Sequence, residues 1–236
     1  MTSPRYALAC ALMFFSTSSS ATLLFSEYVE GSSYNKALEL FNTGEAIDFS
    51  LDNYVIDIYV NGDGTPRYSL SLMGMLAAQD TFVVAHSSAD SAITSVADVL
   101  WGSLTFNGDD AITLTHNGVI VDRIGQVSVD PGSEWGTGLT STQNNTLRRN
   151  PEIVLGDPDA LLAFNPAMQW QGYDNDDFSN LGIHSVAINS AEPADMGNVS
   201  VPLPGSGALI AAGLVPLLLG GALNRRREPQ FQENLA

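Results

Sequence analysis

Between Thr22 and Val127 the chain is cut into short apolar runs, each stopped by Gly, Asn or Asp. That punctuation most constrains the fold, because short runs bounded by turn residues read as strands. TLLFSEYVE (Thr22–Glu30) is rich in aromatic and β-branched residues. ALELFN (Ala37–Asn42) alternates apolar and polar positions and ends at Asn-Thr-Gly. NYVIDIYV (Asn53–Val60) alternates too, then breaks at Asn61-Gly62-Asp63-Gly64. YSLSLMG, DTFVVAH and LTFNGDDAITLTHNGVIVDRIGQV follow. Such spacing predicts an all-β sandwich or barrel.

The sharpest local signal is Asn117-Gly118, a pair that accepts the two positive φ values of a type I′ turn. A two-residue loop would place Leu114 opposite Val121, Thr115 opposite Ile120 and Thr113 opposite Asp122. Apolar residues on both faces imply a strand covered on two sides. The helical hint outside the termini is SADSAITSVAD (Ser88–Asp98), one or two turns capped by serine or aspartate. After Gln126 the chain turns rich in Gly, Pro, Ser and Thr, with Trp135 and Trp170 embedded. Tryptophans in such sequence pin long loops onto a sheet. They are also possible contact points.

Both ends read as addresses. Arg5, the apolar run Tyr6–Phe15 and the small residues Ser16–Ala21 form a secretory signal peptide (1–21) with cleavage after Ala21. Ten apolar residues are too few to span a bilayer, which needs roughly 20. Cys10 lies within that signal, so the mature chain has no cysteine and depends on core packing alone. At the other end, Gly205–Leu223 gives 19 uncharged residues, about 28 Å as a helix. Arg225, Arg226 and Arg227 follow, which by the positive-inside rule lie in the cytoplasm. Residues 191–200 read as a polar linker, 201–227 as the signal with its transmembrane helix, and 228–236 as a cytoplasmic tail.

Charge excludes one class of partner. The chain holds 9 bases and 26 acids; without the terminal Arg5, Arg225–Arg227, Glu228 and Glu233, 5 bases face 24 acids, a net of −19. Such a surface repels phosphate backbones and argues against direct nucleic-acid binding.

Several motifs in order carry a resemblance. Ser26-Glu27 in an opening strand, Glu39-Leu40-Phe41-Asn42, and Gly108-Asp109, Leu114, Asn117-Gly118 and Asp122 in a late hairpin resemble the lamin tail domain over Leu23 to Val127. The resemblance implies an immunoglobulin-like β-sandwich (22–127), and the segment 128–190 is similar to the extension that follows this domain in secreted bacterial nucleases. No stretch the size of a catalytic domain follows Gly182. Val201-Pro202-Leu203-Pro204 with its apolar run and arginine stop resembles the VPLPA- and PEP-type sorting signals of Gram-negative bacteria. That implies processing by a membrane-embedded cysteine protease, exosortase, and transfer to the cell surface or an exopolysaccharide matrix.

Catalytic constellations are not legible. His86, His116 and His184 are scattered, and neither H-E-x-x-H nor G-x-S-x-G occurs. No catalytic residue and no cofactor is expected. Asp63, Asp174 and Asp176 lie in acidic turns that offer hard oxygen ligands to Ca²⁺, although turns use the same residues to bond their own backbone. Glu27, Glu30 and Glu39 are candidates to converge at one sandwich edge, with Arg148-Arg149 neutralising nearby acids. The expectation is an exported, non-enzymatic binding or scaffold module contacting the cell envelope or matrix polysaccharide. The alternative is a component of extracellular nucleic-acid degradation.

Overall fold

The computed structural model describes residues 23–187. Ala21, Val201–Pro204, Gly205–Leu223 and Arg225–Arg227, which carry the expected cleavage site, sorting motif and membrane span, lie outside the described residues. Among the described residues no helix is long and apolar enough to cross a membrane.

Strands appear where the turn-bounded runs predict them. They are β1 (Leu23–Glu30), β2 (Lys36–Asn42), the short β3 (Ile47–Asp48), β4 (Tyr54–Tyr59), β5 (Tyr68–Ser71) and β6 (Met75–Leu76). Then come β7 (Thr81–Ala85), helix α1 (Ser91–Thr94), β8 (Val99–Leu100), β9 (Ala111–His116) and β10 (Val119–Ile124). The remainder supplies β11 (Gly136–Thr137), β12 (Thr140–Ser141), β13 (Thr146–Arg149) and β14 (Trp170–Tyr173). One sheet has the order β14-β13-β1-β2-β7-β8 and faces a second with the order β10-β9-β4-β5. Helix α1 is capped by Asp90, whose carboxylate accepts the Ala92 N–H at 2.8 Å.

The layer between the sheets is apolar. Phe25, Leu38 and Leu40 of the first sheet meet Ile56, Ile58, Ile112 and Leu114 of the second. Each such side chain taken from water contributes roughly 1.5–3 kcal/mol. Alternation along β4 survives as buried and half-buried positions. Strands β1 and β2 are buried on both faces, although ALELFN alternates apolar with polar. The reason is a second layer: Val29, Ala37, Val83 and Ala85 are covered by Ile93 of α1 and by Leu181.

Two expectations are corrected. The turn is as predicted, with φ of 52° at Asn117 and 78° at Gly118, and Thr115 faces Ile120. Beyond that pair a bulge lies between Ile120 and Asp122, so Leu114 faces Asp122 instead of Val121, and Thr113 faces Arg123. The bulge turns Asp122 toward the interior, where it has partners; the unbulged register would leave it elsewhere. The loop-rich segment after Gln126 is not only loop: it enters the six-stranded sheet, supplying β13 and β14. Trp135 and Trp170 are both buried. Trp135 sits against Gly125, whose φ of 82° and close approach to the indole leave no room for a side chain.

Candidate site on the outer face of the six-stranded sheet

The outer face is built around two carboxyls. Residues alternate in a strand: Tyr28, Leu38 and Leu40 point into the main core, so Glu27, Val29, Ala37 and Glu39 point outward. Glu27 and Glu39 are cross-strand partners beside a bulge between Phe25 and Glu27. The Ser26 hydroxyl donates to Glu39 at 2.5 Å, and the Gly182 N–H donates to its other oxygen at 2.6 Å. Burial raises the Glu39 pKa, and these donors hold it back.

Glu27 is 1 % exposed and neither of its oxygens is hydrogen-bonded. Arg148 Nε lies 3.3 Å away, close enough for an ion pair but poorly aligned for a hydrogen bond. Burial outweighs that cation, with the Glu39 charge adding to the effect, and pushes Glu27 up to about 8. The Arg148 charge is met instead by Asp177 at 2.9 Å, and its guanidinium lies 4.1 Å from the Tyr173 ring centre. Glu30, the third acid of the expected cluster, is occupied separately by Lys36 at 2.8 Å.

Beside this pair opens a cleft of about 240 Å³. Its walls include Arg148 and Arg149 of β13, Gln171 and Tyr173 of β14, and Ile183 and His184 of the covering segment. Arg149 is 2 % exposed. Its Nη2 donates to both oxygens of Asp122, at 2.7 and 2.6 Å, and its guanidinium lies 4.5 Å from the Trp170 ring centre. Asp122 also accepts the backbone N–H of Phe25 at 2.8 Å and of Asp157 at 2.7 Å, tying β10 to β1 where β13 diverges. Burial raises the Asp122 pKa against these contacts. Arg149 Nε and Nη1 and His184 Nε2 are buried without partners. His184 stands edge-on to Phe41, and burial, followed by the Arg149 charge, lowers its pKa.

The other candidates from sequence lie elsewhere or act as turn residues. Asp63 sits in the turn after β4, its N–H bonded to the Val60 carbonyl. Asp174 closes a turn by accepting the Asp177 N–H. Asp176 accepts the Ser32 N–H and hydroxyl and the Asn35 amide, so it pins the β1–β2 loop. Among the described residues no three His, Cys, Asp or Glu side chains are grouped to hold a metal ion. His86 stacks on Tyr34 and accepts the Ser88 N–H, and His116 stacks on Tyr54. Arg148-Arg149 does meet acids, one residue on each face of the sheet. The convergence of Gln171, Tyr173 and His184 with that pair had no signal beyond the basic dipeptide itself.

The buried polar hubs are the residues that carried the resemblance. The family model described as Lamin Tail Domain matches residues 16–128 of this chain. The matched stretch contains β1 to β10, including Ser26, Glu27, Glu39 and Asp122. It stops short of β13, β14 and the covering segment, so most of the cleft lies beyond it. No curated protein and no solved structure matches the chain.

Proposed function

We propose that the chain is an immunoglobulin-like lamin-tail module that is exported, carries no enzyme activity, and binds a component of the cell envelope or matrix. The observation behind this reading is the preformed outer-face cleft. It is built on two strands of a continuous sheet, with Arg148, Gln171, Tyr173 and His184 among its lining residues. A site on strands is held more rigidly than one on loops. Charge placement supports the same reading. Of the five bases among the described residues, Lys36, Arg123, Arg148 and Arg149 are engaged with acids. Arg67 alone of the five is exposed. An exterior this acidic keeps the protein soluble and disfavours polyanions.

Delivery rests on the ends of the sequence. In this reading the signal peptide 1–21 exports the chain, and the segment 201–227 spans the membrane until an exosortase-type protease cuts near Val201–Pro204. The product then remains at the surface or in the exopolysaccharide of a Gram-negative bacterium.

Cell fractionation combined with mass spectrometry of the mature termini tests delivery. A new N-terminus at Thr22 and a C-terminus near Pro204 are expected. Cytosolic protein with both ends intact would sink the proposal. Envelope pull-down with the full chain tests binding. Metal-dependent cleavage of DNA or RNA by the same preparation would favour the nuclease-associated alternative.

A further inference from the structure

We propose that Asn117-Gly118, the tip of the β9–β10 hairpin, is a site of self-deamidation, with His116 as the proton donor to the departing amide nitrogen.

The chain has three Asn-Gly pairs, and the fold separates them. A glycine after asparagine leaves its backbone nitrogen unhindered, so that nitrogen can reach the side-chain carbonyl carbon wherever the backbone is free to turn. Two of the pairs are hemmed in. Gly108 is buried, and a Cβ built on it would lie 2.5 Å from Gln143 and 2.7 Å from the Ser133 carbonyl oxygen. A Cβ on Gly62 would lie 2.7 Å from the Asp130 nitrogen, and the Asn61 N–H donates to Asp110 at 2.9 Å. Asn117 and Gly118 are both exposed, and nothing lies within 4 Å of a Cβ built on Gly118. The Asn117 N–H donates to the Asn53 carbonyl at 2.9 Å, so the asparagine is anchored while the glycine has room to move.

His116 supplies the proton. Its Nε2 lies 3.0 Å from Asn117 Nδ2. Asp52 Oδ1 stands 3.5 Å from the same ring nitrogen, and the Tyr54 ring stacks on the imidazole at 4.3 Å and holds its plane. Neither Asn61 nor Asn107 has a histidine next to it in sequence. In the reaction Gly118 N bonds to Asn117 Cγ and gives its proton to water. The Cγ–Nδ2 bond breaks, and Nδ2 leaves as ammonia with a proton from His116, which water restores. A second water opens the five-membered imide at either carbonyl, giving aspartate or isoaspartate. Both products place a new carboxylate at the hairpin tip. Isoaspartate also lengthens the two-residue loop by one backbone methylene.

The test incubates the full-length chain, in mild detergent, at neutral pH. Peptide mapping by mass spectrometry follows Asn61, Asn107 and Asn117 separately. Asn117 should convert well ahead of the other two and yield both aspartate and isoaspartate. His116→Gln keeps a polar side chain at the strand end but cannot pass a proton. It should slow conversion about tenfold, less than the roughly 10²–10⁴ of an enclosed acid because the ring is partly exposed. The parent's rate at Asn117 should also bend with pH where that of His116→Gln rises smoothly. Three results would each overturn the proposal: Asn117 converting no faster than Asn61 or Asn107, aspartate formed without isoaspartate, or an unchanged rate in folded His116→Gln. If that variant does not fold, the parent's pH profile decides, and a smooth rise at both Asn117 and Asn61 would reject His116 as the donor.

Discussion

The two faces of the six-stranded sheet solve the burial problem differently. The inner face is apolar apart from the Arg149–Asp122 pair at its edge: Phe25, Leu38 and Leu40 need only the right size and a facing layer. The outer face mixes Val29, Ala37 and Val83 with Glu27, Glu39 and Arg148, and every polar group there must find a partner. Those partners come from far along the chain. Glu39 is bonded by Gly182, and Arg148 by Asp177. An apolar layer tolerates approximate complementarity, whereas a buried polar layer is stable only when its groups are satisfied. Satisfaction is incomplete at Glu27, whose two oxygens have no hydrogen bond, and at His184 Nε2.

Mutations sharpen that contrast. The largest effect is expected at the seam. Asp122→Ala leaves Arg149 buried with no counter-charge and strips acceptors from Phe25 and Asp157, so about 3–5 kcal/mol of stability should be lost. Urea unfolding would read this as a lower midpoint, and a loss below about 1 kcal/mol would mean that the polar seam is not structural. Next comes the apolar layer: Ile56→Ala should cost roughly 2–5 kcal/mol through transfer and cavity terms.

The pH dependence isolates Glu27. Its carboxyl stands at about 8 in the fold against 4.5 for the free group, so the folded state holds its proton more tightly than the unfolded state does. Its stability contribution is therefore complete below about 4.5 and lost as pH rises toward 8. Glu27→Gln should flatten that decline and raise stability at pH 8 relative to the parent chain. A parent whose stability is level from pH 5 to pH 8 would contradict the burial argument. Asp176 and Asp177 act with the opposite sign. Hydrogen bonds from Ser32 and Ser179 and nearby cations hold them below the ordinary range, though burial opposes, so their contribution disappears in acid. The smallest effect is expected at exposed Arg67, whose guanidinium lies 5.8 Å from the Tyr68 ring centre. Arg67→Ala should stay within about 0.5 kcal/mol, measured by the same unfolding curves.

Much of the sandwich was legible because strands are local. Turn residues such as Asn117-Gly118 and alternating runs such as NYVIDIYV express themselves within ten residues. The cap of α1 and the turn roles of Asp63 and Asp174 are local in the same sense. The register beyond Ile120 was not legible, because the bulge answers to Phe25 and Arg149 rather than to the hairpin. Nor was the entry of 146–149 and 170–173 into the main sheet, since 146–149 pairs with β1 over a hundred residues upstream and 170–173 joins only through it.

Sequence by itself determined that this is a strand-built, acidic chain, with cysteine confined to its N-terminal leader-like run and apolar segments at both ends. Tertiary structure alone decided which polar residues would be buried and which would be left without partners. The physical reason is that periodicity and turn chemistry act between neighbours, whereas the desolvation of Glu27 and Arg149 depends on what the rest of the chain lays over them.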